Sequence, residues 1–370
     1  MIEKLALVID IGTTFIEVAF LDCDRTSSDK TSDQAASSDD GAPDGKVVAY
    51  GRAPNEQVFY GRDILTRLTH ATSDGTDDSA AETTRTELRE AAHRSVAAAI
   101  HDAAAGYEEK LLARCTRMVA AGNTVMTQLY EPADEHNERV ELLSPIGNFV
   151  GGDARAALIA TDLATVLPPD EPAQLLIDLG TNAEIMLRTG THLYATSVPA
   201  GPTFEGVTAH ANPKWRGTDV INHVAQYLHY GSIDASGRIV DEAMAAPFVQ
   251  EDIRDFQLAK AAVCAGIEGL LAHADIDPAL VADVILAGTF GLKMNVEAAA
   301  SIGLFPRSLA NAHFTAFCAP TIAGSQANAV LEGLRKVACG ASTDIEGTVD
   351  VINLAASDTF NETLLASLNF

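Results

Sequence analysis

An internal duplication limits what this chain can fold into more than any other feature of its sequence. Residues 5–17 read LALVIDIGTTFIE and residues 174–186 read QLLIDLGTNAEIM, and an offset of 168 residues superposes their Asp-x-Gly-Thr motifs. The superposed pairs are Asp10 with Asp178, Gly12 with Gly180, and Thr13 with Thr181. Each copy predicts a strand, a sharp turn and a second strand, which together make a β-hairpin with a carboxylate at its tip.

The residue types at these tips suit a polyphosphate. Glycine lets the backbone approach an anion closely, and consecutive N–H groups can surround phosphate oxygens. An aspartate next to phosphate needs a divalent cation or a water between them, because hard cations bind carboxylate oxygens and keep several waters. A single Asp-x-Gly-Thr turn often serves only to reverse a hairpin. The duplication therefore favours two tips that hold one nucleotide from both sides.

Strands and helices alternate along the whole chain, which predicts an α/β fold. The expected strands are 5–9, 15–21, 46–50, 116–121, 175–178, 183–188, 193–197 and 283–287. The expected helices are 88–104, 124–130, 152–160, 218–229, 251–273 and 325–337. Clusters of Gly and Pro at 144–152 and 199–217 mark turns or junctions between lobes. We expect a first lobe over 1–150, a second lobe over 151–345 and a strand–helix tail over 346–370.

Two acidic stretches interrupt the globular pattern. Residues 23–46 contain almost no apolar side chains, so they cannot offset the entropy of ordering, and we expect a disordered insertion in the first lobe. Residues 71–86 predict a second solvated loop. The alternative for both is a docking segment for a basic partner.

Composition excludes several classes of function. The chain has 51 acidic and 25 basic residues, a formal net charge of −26, which disfavours binding to nucleic acid or to anionic lipid. A secretory signal and an apolar run long enough to span a membrane are both lacking, which predicts a cytoplasmic location. The five cysteines form no CxxC or ferredoxin-type cluster, so we expect reduced, mostly buried thiols and no iron–sulfur cluster in this chain.

Three further segments contain many small residues. Residues 283–291, DVILAGTFG, predict a strand that runs into a glycine-rich turn, where absent side chains would admit an adenine. Residues 118–126, MVAAGNTVM, and 323–333, AGSQANAVLEG, lead into helices with small side chains. Such helices suit close crossing between two lobes, as a hinge requires.

With these motifs the sequence resembles the superfamily of acetate and sugar kinases, heat-shock chaperone ATPases and actin. Within it, the chain is similar to the ATPase region of the reductive activators of corrinoid proteins. The segments that carry this resemblance are IDLGTNAEI (177–185), AGPTFEG (200–206), DIRDFQLAKAAVCAGIEGLL (252–271), LAGTFG (286–291), IGLFP (302–306), APNEQVFYGRDILTRL (53–68) and VDVINLAASDTFNETLLASLNF (349–370).

The resemblance implies an actin-like fold of two ribonuclease-H-like lobes with ATP and Mg²⁺ in the cleft between them. It also implies an ATPase that drives reduction of Co(II) corrinoid to Co(I) in anaerobic methyl transfer, and family likeness suggests a homodimer. Two alternatives stay open, a small-molecule kinase and a nucleotide-gated chaperone or assembly ATPase.

The resemblance also assigns roles to residues. Asp10 would hold Mg²⁺ through water, and Asp178 would orient or deprotonate the attacking water or share the metal. The expected phosphate contacts are Gly12, Thr13, Thr14, Gly180, Thr181, Asn182 and, in a nearby loop, Gly201. The expected adenosine contacts are Gly288, Phe290 and Gly291.

Three residues at or near these positions have two possible roles each. Glu184 points either into the cleft or to the other face of its sheet. Phe290 follows an apolar strand, where a core position is the alternative to an adenosine contact. Asn123 either caps the helix that begins at Thr124 or makes a polar contact in the cleft.

The sequence departs from the family at two places. Members of the family commonly carry an iron–sulfur module ahead of the ATPase region, whereas this chain begins at the first hairpin. The resemblance then implies electrons from a separate ferredoxin-like protein. In addition, residues 207–217, VTAHANPKWRG, differ from the family's Gly-Met-Arg-rich segment, so the preference for nucleotide or client can differ.

Overall fold

A computed structural model describes residues 4–23, 45–60, 78–130, 140–205, 217–291, 293–318 and 328–370. The chain divides into two compact units. The first unit comprises Met1–Ala164 and Cys318–Ile345, and the second comprises Thr165–Phe317 and Glu346–Phe370.

The first unit contains a five-stranded mixed sheet in the order β3-β2-β1-β4-β5. Its strands are β1 (Leu5–Ile11), β2 (Phe15–Asp22), β3 (Lys46–Pro54), β4 (Cys115–Gly122) and β5 (Val140–Leu142). The first three strands form an antiparallel meander, and β4 and β5 run parallel to β1.

The second unit repeats this order. Its strands are β6 (Ala173–Leu179), β7 (Asn182–Thr189), β8 (His192–Pro199), β9 (Val281–Ala287), β10 (His313–Ala316) and β11 (Thr348–Val351). They are arranged β10-β9-β6-β7-β8-β11, so that β6 takes the place of β1 and β9 that of β4. The duplication predicted from two hairpins therefore extends over both sheets.

Helices and short 3-10 turns connect and cover the strands. The helices are α1 (Asp78–Ala104), α2 (Glu108–Leu112), α3 (Thr124–Tyr130), α4 (Gly152–Ala160), α5 (Gly217–His229), α6 (Glu242–Ala245), α7 (Gln250–His273), α8 (Gly288–Gly291), α9 (Val296–Ser301), α10 (Ala329–Ala338) and α11 (Asp358–Ala366). The 3-10 turns are Glu56–Tyr60, Pro202–Glu205, Pro278–Leu280, Arg307–Leu309 and Leu354–Ala356. No helix in these parts of the chain is both long and apolar enough to cross a bilayer.

Strand β1 shows why the hairpin segments read as almost continuous apolar runs. Leu7, Ile9 and Ile11 enter the core that includes residues of α1 and α3. The alternate residues, Val8 and Asp10, lie on the opposite face, where α10 packs on the strand. Because both faces of β1 are covered, the strand carries apolar residues on both faces. The exception is Asp10, near the end of the strand.

The division into units differs from the boundaries expected from sequence. Residues 318–345 belong to the first unit because α10 packs on α4, β1 and β4. The closest approach is at Gly333, where a Cβ atom would collide with the backbone of Ala156. Of the two small-residue helices expected to cross, α10 therefore crosses α4 inside the first unit, and α4 is not the helix after residues 118–126 that the sequence suggested. The segment 346–370 is integrated into the second unit, since β11 pairs with β8 and α11 packs on α7.

Two other expectations are corrected. Residues 78–86, expected as loop, form the first turns of α1, because extending an established helix costs little and acidic residues favour its N-terminal end. The rest of both acidic stretches, 24–44 and 71–77, lies outside the described residues. Cys23 and Cys339 form a disulfide, since the end of β2 meets the end of α10 with the two Cα atoms 5.2 Å apart. The expectation of reduced thiols is wrong for this pair, whereas the buried Cys115 and Cys264 are free thiols, as expected.

Candidate functional site

The first hairpin tip is a tight turn between β1 and β2. Gly12 is required there because a Cβ atom would lie 2.5 Å from the carbonyl oxygen of Phe15. Asn55 Nδ2 donates a 2.8 Å hydrogen bond to the Gly12 carbonyl and holds the turn from the end of β3. Thr13 and Thr14 are half-buried beside it. The sequence places all three predicted phosphate contacts of this unit in one short turn.

Asn123, which follows β4, both caps a helix and contacts the tip. Its Oδ1 accepts hydrogen bonds from the backbone N–H groups of Val125 at 3.1 Å and Met126 at 2.9 Å, at the start of α3. Its Nδ2 donates to Thr13 Oγ1 at 3.2 Å. The capping alternative is therefore confirmed, and the same side chain makes a polar contact with the first hairpin tip.

Asp10 belongs to a buried polar cluster. The register of β1 and β2 pairs Asp10 with Glu17, so both side chains lie on the same face of the sheet. Asn328 Nδ2 donates to Asp10 Oδ2 at 2.8 Å and to Glu17 Oε2 at 2.7 Å. Glu17 Oε1 accepts a 2.6 Å hydrogen bond from Tyr50 and lies 3.3 Å from Arg52 Nε. Neither Glu17 nor Asn328 was identified from the sequence.

Asp153 lies near the same tip. A Cβ atom added to Gly151 would sit 2.6 Å from both Asp153 Oδ1 and the Cα atom of Asn123, so the carboxylate and the end of β4 are close neighbours. Asp153 Oδ1 accepts a 2.8 Å hydrogen bond from the backbone N–H of Ala154. Desolvation by burial raises the pKa of Asp153 to about 6.

The second tip lies between β6 and β7. The backbone N–H of Gly180 donates to the Asn182 carbonyl at 2.9 Å, which closes the turn. The Thr181 carbonyl accepts from the backbone N–H groups of Ala200 at 3.1 Å and Gly201 at 2.8 Å. The loop after β8 thus brings Gly201 to the predicted phosphate contacts Gly180, Thr181 and Asn182.

Gly288 brings the end of β9 against Asp178. The sheet register places Ala287 beside Asp178, and Gly288 follows with a φ of +77°, a conformation that favours glycine. A Cβ atom at this position would lie 2.5 Å from Asp178 Oδ1. The expected glycine-rich turn is the short helix α8, which includes Phe290 and the buried Gly291. The side chain of Phe290 lies outside the described part of the structure.

Glu184 repeats the position of Glu17. The register pairs it with Asp178, so the two carboxylates share one face, and Glu184 Oε1 accepts a 3.0 Å hydrogen bond from Ser197 Oγ. The register therefore assigns Glu184 to the Asp178 face of its sheet, and its orientation toward a cleft stays a prediction. Glu17 could also have been found from the sequence. The two hairpins align Glu17 with Glu184 if their turns are allowed to differ in length by one residue.

Each tip offers the donors that magnesium with a polyphosphate needs. Each has a carboxylate pair, Asp10 with Glu17 and Asp178 with Glu184, beside a Gly-Thr turn with backbone N–H groups. Within the described ranges, no group of three or more His, Cys, Asp or Glu side chains could hold a metal alone. This donor set fits Mg²⁺, which is commonly bound through one or two carboxylates, substrate phosphates and several waters.

Comparisons with known proteins agree on one family. A family model described as the C-terminal domain of RACo, the ASKHA domain, matches residues 172–211 and 244–370, and a RACo middle-region model matches residues 42–137. Together these matches cover more than half of the chain. A curated relative, the corrinoid activation enzyme RamQ of Eubacterium limosum, is 25% identical over 298 residues. That alignment covers 62% of this chain and 47% of the relative, so the chain spans about half of the relative's length.

A solved structure shares the fold of this chain. The protein titled "Reductive activator for corrinoid,iron-sulfur protein" matches with a TM-score of 0.73 and 21% sequence identity. The match covers 100% of this chain and 66% of that chain. It confirms, with the ASKHA family model, the predicted actin-like α/β fold.

Proposed function

Because this chain belongs to the family of the reductive activators of corrinoid proteins, we propose that it binds and hydrolyses Mg–ATP and thereby drives reduction of a corrinoid protein from Co(II) to Co(I). The electron comes from a separate ferredoxin-like iron–sulfur protein. One electron passes from the reduced donor to Co(II), and ATP and water become ADP and phosphate. This reaction belongs to anaerobic methyl transfer.

The observation that carries the proposal is the repetition of one polar tip in both units. In each sheet an Asp-x-Gly-Thr turn ends the central strand, with a glutamate paired across the hairpin. A glycine also stands where the neighbouring parallel strand ends, since Gly122 is the last residue of β4 and Gly288 directly follows β9. A structural hairpin alone does not require this repeated acidic pair.

The residues of the two tips take complementary roles in the proposal. Asp10 holds Mg²⁺ through water, while Gly12, Thr13 and Thr14 bind phosphate. Asp178 orients the attacking water, and Gly180, Thr181, Asn182 and Gly201 bind phosphate from the second unit. The chain supplies positioning and neutralisation of charge, which dominate catalysis of phosphoryl transfer.

Hydrolysis can assist electron transfer only if nucleotide binding discriminates between conformations. A ligand shifts an equilibrium by no more than its difference in affinity for the two states. The proposal therefore requires that ATP and ADP stabilise different conformations of the activator with its client. In this way an unfavourable electron transfer is coupled to hydrolysis.

The experiment is a spectroscopic assay of cobalt reduction. The protein, a Co(II) corrinoid protein, a low-potential iron–sulfur donor and Mg²⁺ are mixed without oxygen, and Co(I) is followed in the visible spectrum. We expect Co(I) to form with ATP and not with ADP. An unchanged spectrum, or ATP-dependent phosphorylation of a small molecule instead, would contradict the proposal and favour a kinase.

The variant Asp178→Asn tests the assigned role of the second tip. We expect it to lose hydrolysis and Co(I) formation while it retains measurable nucleotide binding, because the amide keeps the size of the carboxylate without its charge. Asp283→Asn is the matched control, since Asp283 lies near the opposite end of β9, where its Oδ1 is 3.3 Å from Nδ1 of the exposed His313. Normal turnover in Asp178→Asn would remove the catalytic assignment.

A further inference from the structure

Asn328 makes three hydrogen bonds that no other residue type of its size can make together. Its Oδ1 accepts from the backbone N–H of Leu331 at 2.7 Å and caps α10. Its Nδ2 donates both hydrogens, to Asp10 Oδ2 at 2.8 Å and to Glu17 Oε2 at 2.7 Å. Aspartate has no donor when ionised, and serine has a single one. Asn328 is 9% exposed, so these bonds are made largely away from water.

The Asn328 amide lies between two carboxylates that the hairpin register places side by side. Asp10 and Glu17 stand directly opposite each other on one face of the sheet. Like charges at such positions repel, and the repulsion is larger where water is excluded. A shared amide group offers each carboxylate a hydrogen and keeps both acids side by side in fixed orientations.

We propose that Asn328 is a positioning residue that fixes the Asp10 carboxylate for the water shell of Mg²⁺, with Glu17 as its second anchor. This inference rests on the proposed function, since Asp10 receives its role there. Asn328 acts through Asp10 and is not itself placed in contact with nucleotide. The N-terminal end of α10 thereby becomes part of the metal-binding arrangement of the first unit.

The test separates metal-dependent from metal-independent binding. Affinity for ATP is measured by calorimetry with Mg²⁺ and again with the metal chelated, in wild type and in Asn328→Asp and Asn328→Ser. Both variants keep a residue that caps helices well, so the fold is retained. We expect affinity for Mg–ATP to fall about tenfold or more, as suits loss of charged hydrogen bonds, while affinity without Mg²⁺ changes less than about twofold.

Asn295→Asp is the matched control. Asn295 caps α9 through a 2.9 Å hydrogen bond that its Oδ1 accepts from the backbone N–H of Ala298, in the second unit. The same substitution there changes a cap without touching Asp10 or Glu17. We expect it to bind ATP like wild type with and without Mg²⁺.

A compensating pair gives a second, independent readout. In Asn328→Asp with Glu17→Gln, the donor moves to position 17 and the acceptor to position 328, which restores a hydrogen-bonded pair beside Asp10. We expect the double variant to recover most of the Mg–ATP affinity lost by Asn328→Asp alone, as a double-mutant cycle would reveal.

The outcomes distinguish this inference from the proposed function. If wild type binds no Mg–ATP, the proposed function fails. If wild type binds and both single variants bind equally well, the positioning role alone is overturned. An equal loss of affinity with and without Mg²⁺, or a double variant no better than Asn328→Asp, also overturns it, because a general structural defect would produce either result.

Discussion

At the scale of residues, the two tip aspartates have different surroundings although their hairpins correspond. Asp10 is 8% exposed and receives a hydrogen bond from the side chain of Asn328. Asp178 is half-buried and has the backbone of Gly288 against its carboxylate. A donated hydrogen bond therefore holds the Asp10 side chain, whereas the room for the Asp178 carboxylate depends on the absence of a side chain at Gly288. This difference agrees with the separate roles proposed for them.

Asp153 provides a prediction about pH and stability. Burial raises its pKa to about 6 in the folded protein, so the folded state holds the proton more tightly than the unfolded chain does. Stability from this group is therefore present at low pH and lost as pH rises from about 4 to about 6. Asp153→Asn should be more stable than wild type by about 2 kcal/mol at pH 7.5, and by about half as much at pH 5.

Urea denaturation at the two pH values measures this difference. The exposed Asp170→Asn serves as control and should unfold like wild type at both. A gain for Asp153→Asn that does not depend on pH, or a loss of stability at pH 7.5, would show that the Asp153 carboxylate is not destabilised by burial.

The sequence predicted the residues of the hairpin tips better than the residues that contact them. Asp10, Gly12, Thr13 and their counterparts were placed in hairpin turns because a turn is encoded by adjacent residues. Asn328 lies more than 300 positions from Asp10, and nothing local distinguishes it from any other helix cap. Its contact with two acids depends on how α10 packs on β1. The roles of all these residues toward ATP remain predictions.

At the scale of elements, the crossing of α10 and α4 holds the first unit together. Gly333 faces the backbone of Ala156, and the N-terminal end of α10 carries Asn328 to the tip while the disulfide at Cys339 ties its other end to β2. The small-residue helices were visible in the sequence. Their partner was not, because close packing depends on which helix the fold places opposite.

Gly333→Ala tests this crossing. The added methyl group would collide with the backbone of Ala156, which cannot move aside as the end of a side chain can, so we expect a loss of about 2 kcal/mol or more in stability. Gly269→Ala in α7 is the control, since its nearest contact is the end of Leu354 at 3.1 Å, and alanine favours a helix. Chemical denaturation followed by circular dichroism compares the two, and equal stability of both variants would refute the close crossing.

At the scale of the whole molecule, two units share one strand order, and each ends its central strand in an acidic Gly-Thr turn. The sequence predicted the duplication because both hairpins are local and alike. It did not predict the edges of the units, since residues 318–345 return to the first unit after the chain has built most of the second. Return segments of this kind depend on long-range packing, which periodicity along a sequence does not encode.

The central claim is that the tips bind Mg–ATP, and calorimetric titration tests it most directly. We expect wild type to bind about one Mg–ATP per chain, and Gly288→Ala to lose at least tenfold in affinity because its methyl group would lie 2.5 Å from Asp178 Oδ1. Gly231→Ala should bind like wild type, since it has a similar φ of +75° but no atom within 4 Å of the added methyl group. Absence of heat with wild type, or equal affinity in both variants, would contradict the account.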